Sequence, residues 1–278
     1  MRQITKVEMN RAFHSRAFLF SLMVGCVMAM WYFCQFSWPL ITHILKIQQG
    51  TVDPSFFEKI NYATPAAEAW MGTHIADGYF MVLPVLCVIP YGISFHMDCK
   101  SGYVNQLVTR VGKKEYFKAK LLAVFVSGGV VAAIPLILNL ITCMCFLPVM
   151  FPVASTQLFP VSAGSVLGEL FYSKTWSFLY IMIYILFDFV FFGLLNCVCL
   201  VMSFLEDNRF TIALSPFIIA FAFHVLCGWV IGKSGYSPMQ YTYFPRLYWV
   251  NLGIVLAEVL VLLICALAFL LGSRRDTL

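Results

Sequence analysis

Two acidic residues lie near the middle of long apolar runs, where a carboxylate has few chemical roles open to it. Asp188 and Glu258 each interrupt a stretch that is otherwise uncharged. A charge at the centre of a bilayer costs at least about 2.5 kcal/mol, so each group must face protein, water or a partner, or carry a proton. Such carboxylates line substrate or proton paths, or they join helices through hydrogen bonds. Both interpretations stay open at this point.

Uncharged polar residues accompany the two acids. Tyr184 lies one helical turn before Asp188, and Asn251 lies two turns before Glu258, so each pair shares one helix face. Further polar side chains at similar depth are Gln35, Asn139 and His224. The pattern predicts polar stripes in the outer half of these runs, serving either a pathway or helix packing.

Known catalytic and metal-binding patterns are missing from the sequence. It has no H-E-x-x-H, no G-x-S-x-G elbow and no Cys/His cluster at metal spacing. Nine of the ten cysteines lie inside apolar runs, which predicts packing residues instead of disulfides or ligands. Gly232-Lys233-Ser234 resembles the end of a phosphate-binding loop, but Cys227 stands where the pattern needs glycine. We therefore expect no metal site, no cofactor in this chain and no enzyme activity of its own.

The elements that carry these residues are predicted membrane spans. The chain is 61% hydrophobic and only 11% charged, whereas soluble domains carry roughly 25% charged residues. Uncharged runs of about 18 residues or more predict transmembrane helices, because a β-barrel would alternate polar and apolar residues. The six predicted spans are 17–37, 78–95, 121–147, 175–204, 210–231 and 247–271. We expect one all-α transmembrane domain over residues 1–278.

Basic residues predict the orientation of these spans. An even number of spans places both termini on one side, and 13 of the 18 Lys and Arg residues fall in the segments of that side. Because Lys and Arg near span ends resist translocation, both termini are expected in the cytosol. The N-terminal basic region contains Glu8 and precedes a long apolar run, which favours an uncleaved first span over a signal peptide.

The predicted cytosolic loop 96–120 is the most basic segment, with six of the 18 Lys and Arg residues. After Gly102, apolar residues recur at helical spacing and predict a short amphipathic helix. Residues 115–120 then continue into the third span without Pro or Gly, so a push on the loop should tilt that span. The simpler alternative is a solvated basic loop that only orients the chain.

Residues 95–120 resemble the permeases of ABC type-2 exporters. The resemblance is carried by Phe95, Asp98, Gly102, Arg110, the Gly112-Lys113-Lys114 turn, Tyr116 and Lys120. The leading segment, with Glu8, Arg11, Ser15 and Phe18, is similar to the N-terminal amphipathic elbow helix of that family, which also includes Arg16 here. Six spans with both ends inside match its half-transporter layout.

This resemblance implies a division of labour. A separate cytosolic ATPase would hold ATP and Mg, while this permease forms the pathway, paired with a second copy or a homologous permease in a bacterial cell membrane. The loop 96–120 would dock on the ATPase through a coupling helix. Its implied apolar contact is Tyr103, Val104, Leu107 and Val108, and its implied polar rim is Arg110, Lys113 and Lys114.

Other classes of function remain open from the sequence. An ion- or proton-coupled secondary transporter or channel would use Asp188 or Glu258 within the spans. An intramembrane enzyme would have only the ring of His224 as a deep nitrogen, and a lone histidine there is more often a packing residue. A regulatory or immunity membrane protein would have the same pattern, and no residue indicates the substrate.

Overall fold

The chain folds into helices throughout the part that the structure describes. The computed structural model describes residues 2–51, 53, 70, 76–146, 172–173, 177–242 and 251–272. The helices are α1 (Arg2–Phe13), α2 (Arg16–Tyr32), α3 (Trp38–Gln48), α4 (Ala76–Val88), α5 (Ser94–Lys100), α6 (Tyr103–Val111), α7 (Lys113–Phe146), α8 (Ser177–Met202), α9 (Arg209–Val225), α10 (Pro238–Tyr241) and α11 (Leu252–Gly272). The predicted all-α class is confirmed for these residues. The predicted span ends at 147, 175–176 and 247–250 lie outside them.

Five helical stretches are long and apolar enough to cross a bilayer, which indicates a multi-pass membrane protein. They are Arg16–Ile47, Lys113–Phe146, Leu179–Met202, Arg209–Val230 and Leu252–Gly272. The remaining predicted span, 78–95, differs from the expected continuous helix. Its helix α4 has 13 residues, about 20 Å in length, and Pro90 and Gly92 follow where the chain turns before α5. A sixth span therefore stays a prediction.

The first long helix extends beyond its predicted end at residue 37. Ser15 starts it, because its Oγ accepts the Phe18 backbone N–H at 3.0 Å. After Tyr32 the helix widens into a π-helical turn, Phe33–Ser37, and continues as α3. Pro39 lies in the first turn of α3, where a missing N–H donor is tolerated, so it does not stop the helix.

Helix α7 lies at the centre of the bundle and packs against α1, α2, α4, α6, α8 and α11. Its contact with α8 is close because glycines face the partner backbone in both directions. A methyl group at Gly129 would lie 2.6 Å from the Phe189 carbonyl oxygen, and one at Gly193 would lie 2.8 Å from that of Phe125. Small residues allow such approach between membrane helices.

The segments predicted to be cytosolic meet at one end of the bundle. Four rings, from α5, α7, the turn after α8 and α11, lie within 4.8 to 6.4 Å of one another, namely Phe95, Phe117, Phe204 and Phe269. The Lys100 ammonium group also donates to the Asp207 carbonyl oxygen at 2.9 Å. We call this region, with α1, α5, α6 and the start of α7, the basic end.

Candidate functional site

Four charged side chains form a closed ring at the basic end. Lys120 on α7 donates to Glu8 of α1 at 3.0 Å and to Asp98 of α5 at 2.5 Å. Arg11 of α1 donates to the same two carboxylates, at 3.0 Å to Glu8 and 2.9 Å to Asp98. Cations and anions alternate around this charge ring, so three helices are joined by ion pairs.

Burial makes the charge ring more than a surface salt bridge. Lys120 and Glu8 are both 0% exposed, and Asp98 is 4% exposed. Two tyrosine hydroxyls complete the hydrogen bonding, from Tyr91 to Glu8 at 2.7 Å and from Tyr116 to Asp98 at 3.0 Å. A buried ion pair is tolerated only when its remaining polar atoms are satisfied in this way.

Electrostatics hold the ring residues outside the spans in their charged forms. Burial alone raises the pKa of Asp98, but the hydrogen bond from Arg11 and the charge of Lys120 outweigh it, so the pKa lies below its ordinary value. For Arg11, burial lowers the pKa, but the hydrogen bond and charge of Asp98, with the charge of Glu8, outweigh it and raise the pKa above the ordinary value. Each group stabilises the charged form of the other.

Local structure positions the members of the ring. On α1, Ile4, Glu8 and Ala12 are buried, and this i, i+4 spacing turns one face of the helix to the bundle. Arg11 lies one turn after Glu8, at the edge of that face. Lys120 lies two turns into α7, and Asp98 reaches it because the chain turns after α4 and restarts as α5.

The short amphipathic helix predicted after Gly102 is present as α6, between two glycines with positive φ. Gly102 has φ +71° and Gly112 has φ +91°, conformations that favour glycine. Helix α7 follows directly and runs unbroken for 34 residues. The predicted helical connection from the loop into the third span is therefore confirmed.

The apolar face of α6 points inward, in contrast to the expected contact surface. Val104 is 2% exposed, and the partly buried Tyr103, Leu107 and Val108 pack against the protein's own core. The Arg11 guanidinium lies 4.5 Å from the centre of the Tyr103 ring. The apolar side chains of α6 therefore contribute to packing within this chain.

The outward face of α6 is polar. Its exposed residues are Asn105, Gln106, Thr109 and Arg110, followed by Val111 and Gly112. Of the expected polar rim, Arg110 and Lys114 are exposed, whereas Lys113 is half-buried. A protein that binds to α6 from outside would therefore contact mainly amide, hydroxyl and guanidinium groups.

Asp188 is the least satisfied polar residue of the bundle. Its side chain is 0% exposed, and within the described part of the chain neither carboxylate oxygen has a hydrogen-bond partner. Tyr184, predicted on the same face, instead donates its hydroxyl to the Thr242 carbonyl oxygen. A buried polar group without partners is costly and unusual, and among the described residues Asp188 forms no hydrogen-bonded link between helices.

Glu258 differs from Asp188 because it has a partner. The Tyr241 hydroxyl donates to Glu258, from the short helix α10 to α11. Asn251, predicted near Glu258, lies just before α11 and accepts the Gly253 N–H at 2.9 Å. Asn251 therefore caps the helix start and is exposed.

His224 and Asn139 have separate roles. His224 Nδ1 lies 2.7 Å from Ser237 Oγ, so residues 231–242 turn back along α9 after it ends. Asn139 donates to the Ala29 carbonyl oxygen at 3.0 Å and joins α7 to α2. The polar residues expected to form stripes for a pathway or for helix packing are thus distributed over several contacts. In the described ranges no three metal-ligating side chains lie together.

Sequence reasoning missed Tyr91, and it named Tyr116 and Lys120 without predicting that they contact Glu8 or Asp98. Tyr91 is 83 residues from Glu8, so only the fold brings them together. Tyr116 and Lys120 had a local signal, because they are one helical turn apart at the start of a long apolar run.

Comparison with family models, curated proteins and solved structures finds no match to the chain. The assignment of function therefore depends on the residues and on the geometry of the basic end.

Proposed function

We propose that this chain is the membrane-spanning permease subunit of an ATP-driven exporter of the ABC type-2 kind. A separate cytosolic ATPase binds and hydrolyses ATP with Mg, and this chain, with a second permease, forms the substrate pathway in a bacterial cell membrane. Residues 96–120 couple the two proteins. Resemblance of residues 2–18 and 95–120 to that family motivates the proposal.

The observation that carries the proposal is the rigid connection between the loop and the spans. A coupling element must transmit force, and a floppy loop does not. Here α5 is bound to α1 and α7 by the charge ring, α6 packs against α5 and α7, and α7 continues unbroken from Lys113 to Phe146. A solvated anchoring loop needs none of these contacts.

Association with an ATPase tests the proposal. The partner to use is the purified soluble product of an adjacent reading frame that contains G-x-x-x-x-G-K-[ST]. We expect a stable complex with the purified permease and an ATP hydrolysis rate that changes on binding. Thr109→Trp places a large side chain on the outward face of α6 and is expected to prevent the complex.

A matched control is Thr211→Trp, since Thr211 is also exposed and lies at the start of α9, at the same end of the bundle. This variant should bind the ATPase like the wild type. A folded permease that shows no complex with any such ATPase would contradict the proposal. Equal loss of binding in both variants would show that the ATPase does not bind specifically at α6.

A second candidate function is ion- or proton-coupled transport through Asp188 and Glu258. Asp188 favours it, because among the described residues its carboxylate has no hydrogen-bond partner. Asn139 and Asn196, by contrast, join helices, and Asn196 donates to the Val124 carbonyl oxygen at 2.9 Å. Uptake into vesicles that contain the permease alone, driven by a proton gradient and lost in Asp188→Asn, would support this function. No transport without the ATPase would exclude it.

A further inference from the structure

Exposed basic and polar side chains lie on α6 and on the first two turns of α7, which follows it directly in the chain. Arg110, Lys114 and Lys118 are exposed, together with the polar side chains of α6. We call the set the basic docking surface; its residues are Asn105, Gln106, Thr109, Arg110, Lys114 and Lys118. Lys114 and Lys118 are four residues apart and therefore share one face of α7.

The three cations of this surface lack counter-charges. Among the described residues, no carboxylate lies within ion-pair distance of Arg110, Lys114 or Lys118. Arg11 and Lys120, by contrast, are bound in the charge ring. The surface beside α6 therefore carries three cations that no ion pair within the described residues neutralises.

Apolar contact is a minor part of the same surface. Val111, at 38% exposed, is the most exposed large apolar side chain among residues 105–114, since Leu107 and Val108 are partly buried against the core. Protein interfaces that lack an apolar centre depend on hydrogen bonds and complementary charge. A neutral or basic partner would bring like charges together at this position.

We propose that the basic docking surface binds an acidic groove on the cytosolic ATPase, so that docking depends on charge pairing more than on apolar burial. This inference rests on the proposed function and adds the chemistry of the partner. Rim charges mainly accelerate association, and salt screens them. The contact is therefore sensitive to ionic strength.

The experiment measures the dissociation constant of the adjacent-frame ATPase for the permease in phosphatidylcholine nanodiscs, at 0.05 M and 0.5 M salt. We expect Arg110→Glu with Lys114→Glu to weaken binding by roughly tenfold at low salt, since exposed ion pairs contribute a few-fold each and reversal adds repulsion. The difference should shrink at high salt. Arg209→Glu, an exposed cation at the same end, should bind like the wild type.

Charge exchange makes the test specific. Replacing acidic residues of the ATPase groove with lysine should restore binding to the Arg110→Glu, Lys114→Glu permease. If the dissociation constant changes neither with salt nor with charge reversal, the inference of an acidic groove is wrong, while the permease function is still supported. Absence of any complex at either salt concentration would overturn both.

Anionic lipid is the competing occupant of this surface. Nanodiscs that contain phosphatidylglycerol distinguish it: if charge reversal removes only a stabilisation by phosphatidylglycerol and leaves ATPase affinity unchanged, the surface binds headgroups and the inference is wrong.

Discussion

Lys120 is fully buried, and its ammonium group depends on Glu8 and Asp98 for compensation. We predict that Lys120→Met lowers the free energy of unfolding by about 3–5 kcal/mol, because two carboxylates would then be left in a buried site with Arg11 alone. Thermal or denaturant unfolding in detergent measures the change.

Lys118→Met is the matched control, since Lys118 is exposed and only two residues away on the same helix. Its effect should stay within about 0.5 kcal/mol. Similar losses for both variants would mean that the ring contributes nothing beyond helix formation in α7.

The lowered pKa of Asp98 predicts that the stability of the basic end depends on pH. Its pKa is lower in the folded protein than in the unfolded chain, so its contribution to stability is fully present above the unfolded value of about 3.9 and decreases as pH falls through the folded value. The difference in unfolding midpoint between wild type and Asp98→Asn should be constant at neutral pH and shrink below about pH 4.

A midpoint difference that already shrinks between pH 5 and 7 would contradict the lowered pKa of Asp98.

At the scale of single residues, the sequence indicated Glu8, Arg11 and Asp98 through a family resemblance. It did not indicate that they meet Lys120, because three separate helices bring the four residues together.

Helices α7 and α8 depend on glycines at their contact. We predict that Gly129→Ala destabilises the protein by about 1–3 kcal/mol, because the added methyl group meets the Phe189 carbonyl oxygen and the helices must separate. Gly78→Ala is the control: Gly78 lies in α4, and a methyl group there meets nothing within 4 Å.

The two alanine variants have the same effect on helix propensity, so a difference between their unfolding midpoints reports the packing. Equal midpoints would show that α7 and α8 tolerate a wider separation.

Sequence periodicity predicted α6 but not the direction of its apolar face. Apolar residues at helical spacing, such as Val104, Leu107 and Val108, predict that one face of a helix is buried. They do not indicate whether a partner protein or the chain's own core buries it. The early end of α4 is understandable afterwards, since Pro90 and Gly92 follow it. Uncharged length alone could not reveal this end, because neither residue is polar.

At the scale of the whole molecule, composition was sufficient for the class of protein, and the charge count grouped the segments that the structure brings to the basic end. Which side of the membrane this end faces is open to a direct test. The helix from Arg16 onward leads away from it and reaches Gln48, a length of about 50 Å.

We predict opposite labelling of cysteines placed at the two ends. In a variant without the exposed or half-exposed native thiols, Asn105→Cys should react with an impermeant maleimide only in inverted vesicles, and Thr51→Cys only in intact cells. Both positions are exposed. Labelling of both from the same side would contradict the orientation expected from the basic residues.

The charge ring also has a consequence for the order of biosynthesis. Glu8 and Arg11 are three residues apart, and Asp98 and Lys120 are 22 apart. Helix α1 therefore leaves the ribosome with its own counter-ion, and the later segment does the same when α7 is complete. We expect the ring to form when these two neutral pairs meet and add the contacts Lys120–Glu8 and Arg11–Asp98, so that no isolated ion has to be buried.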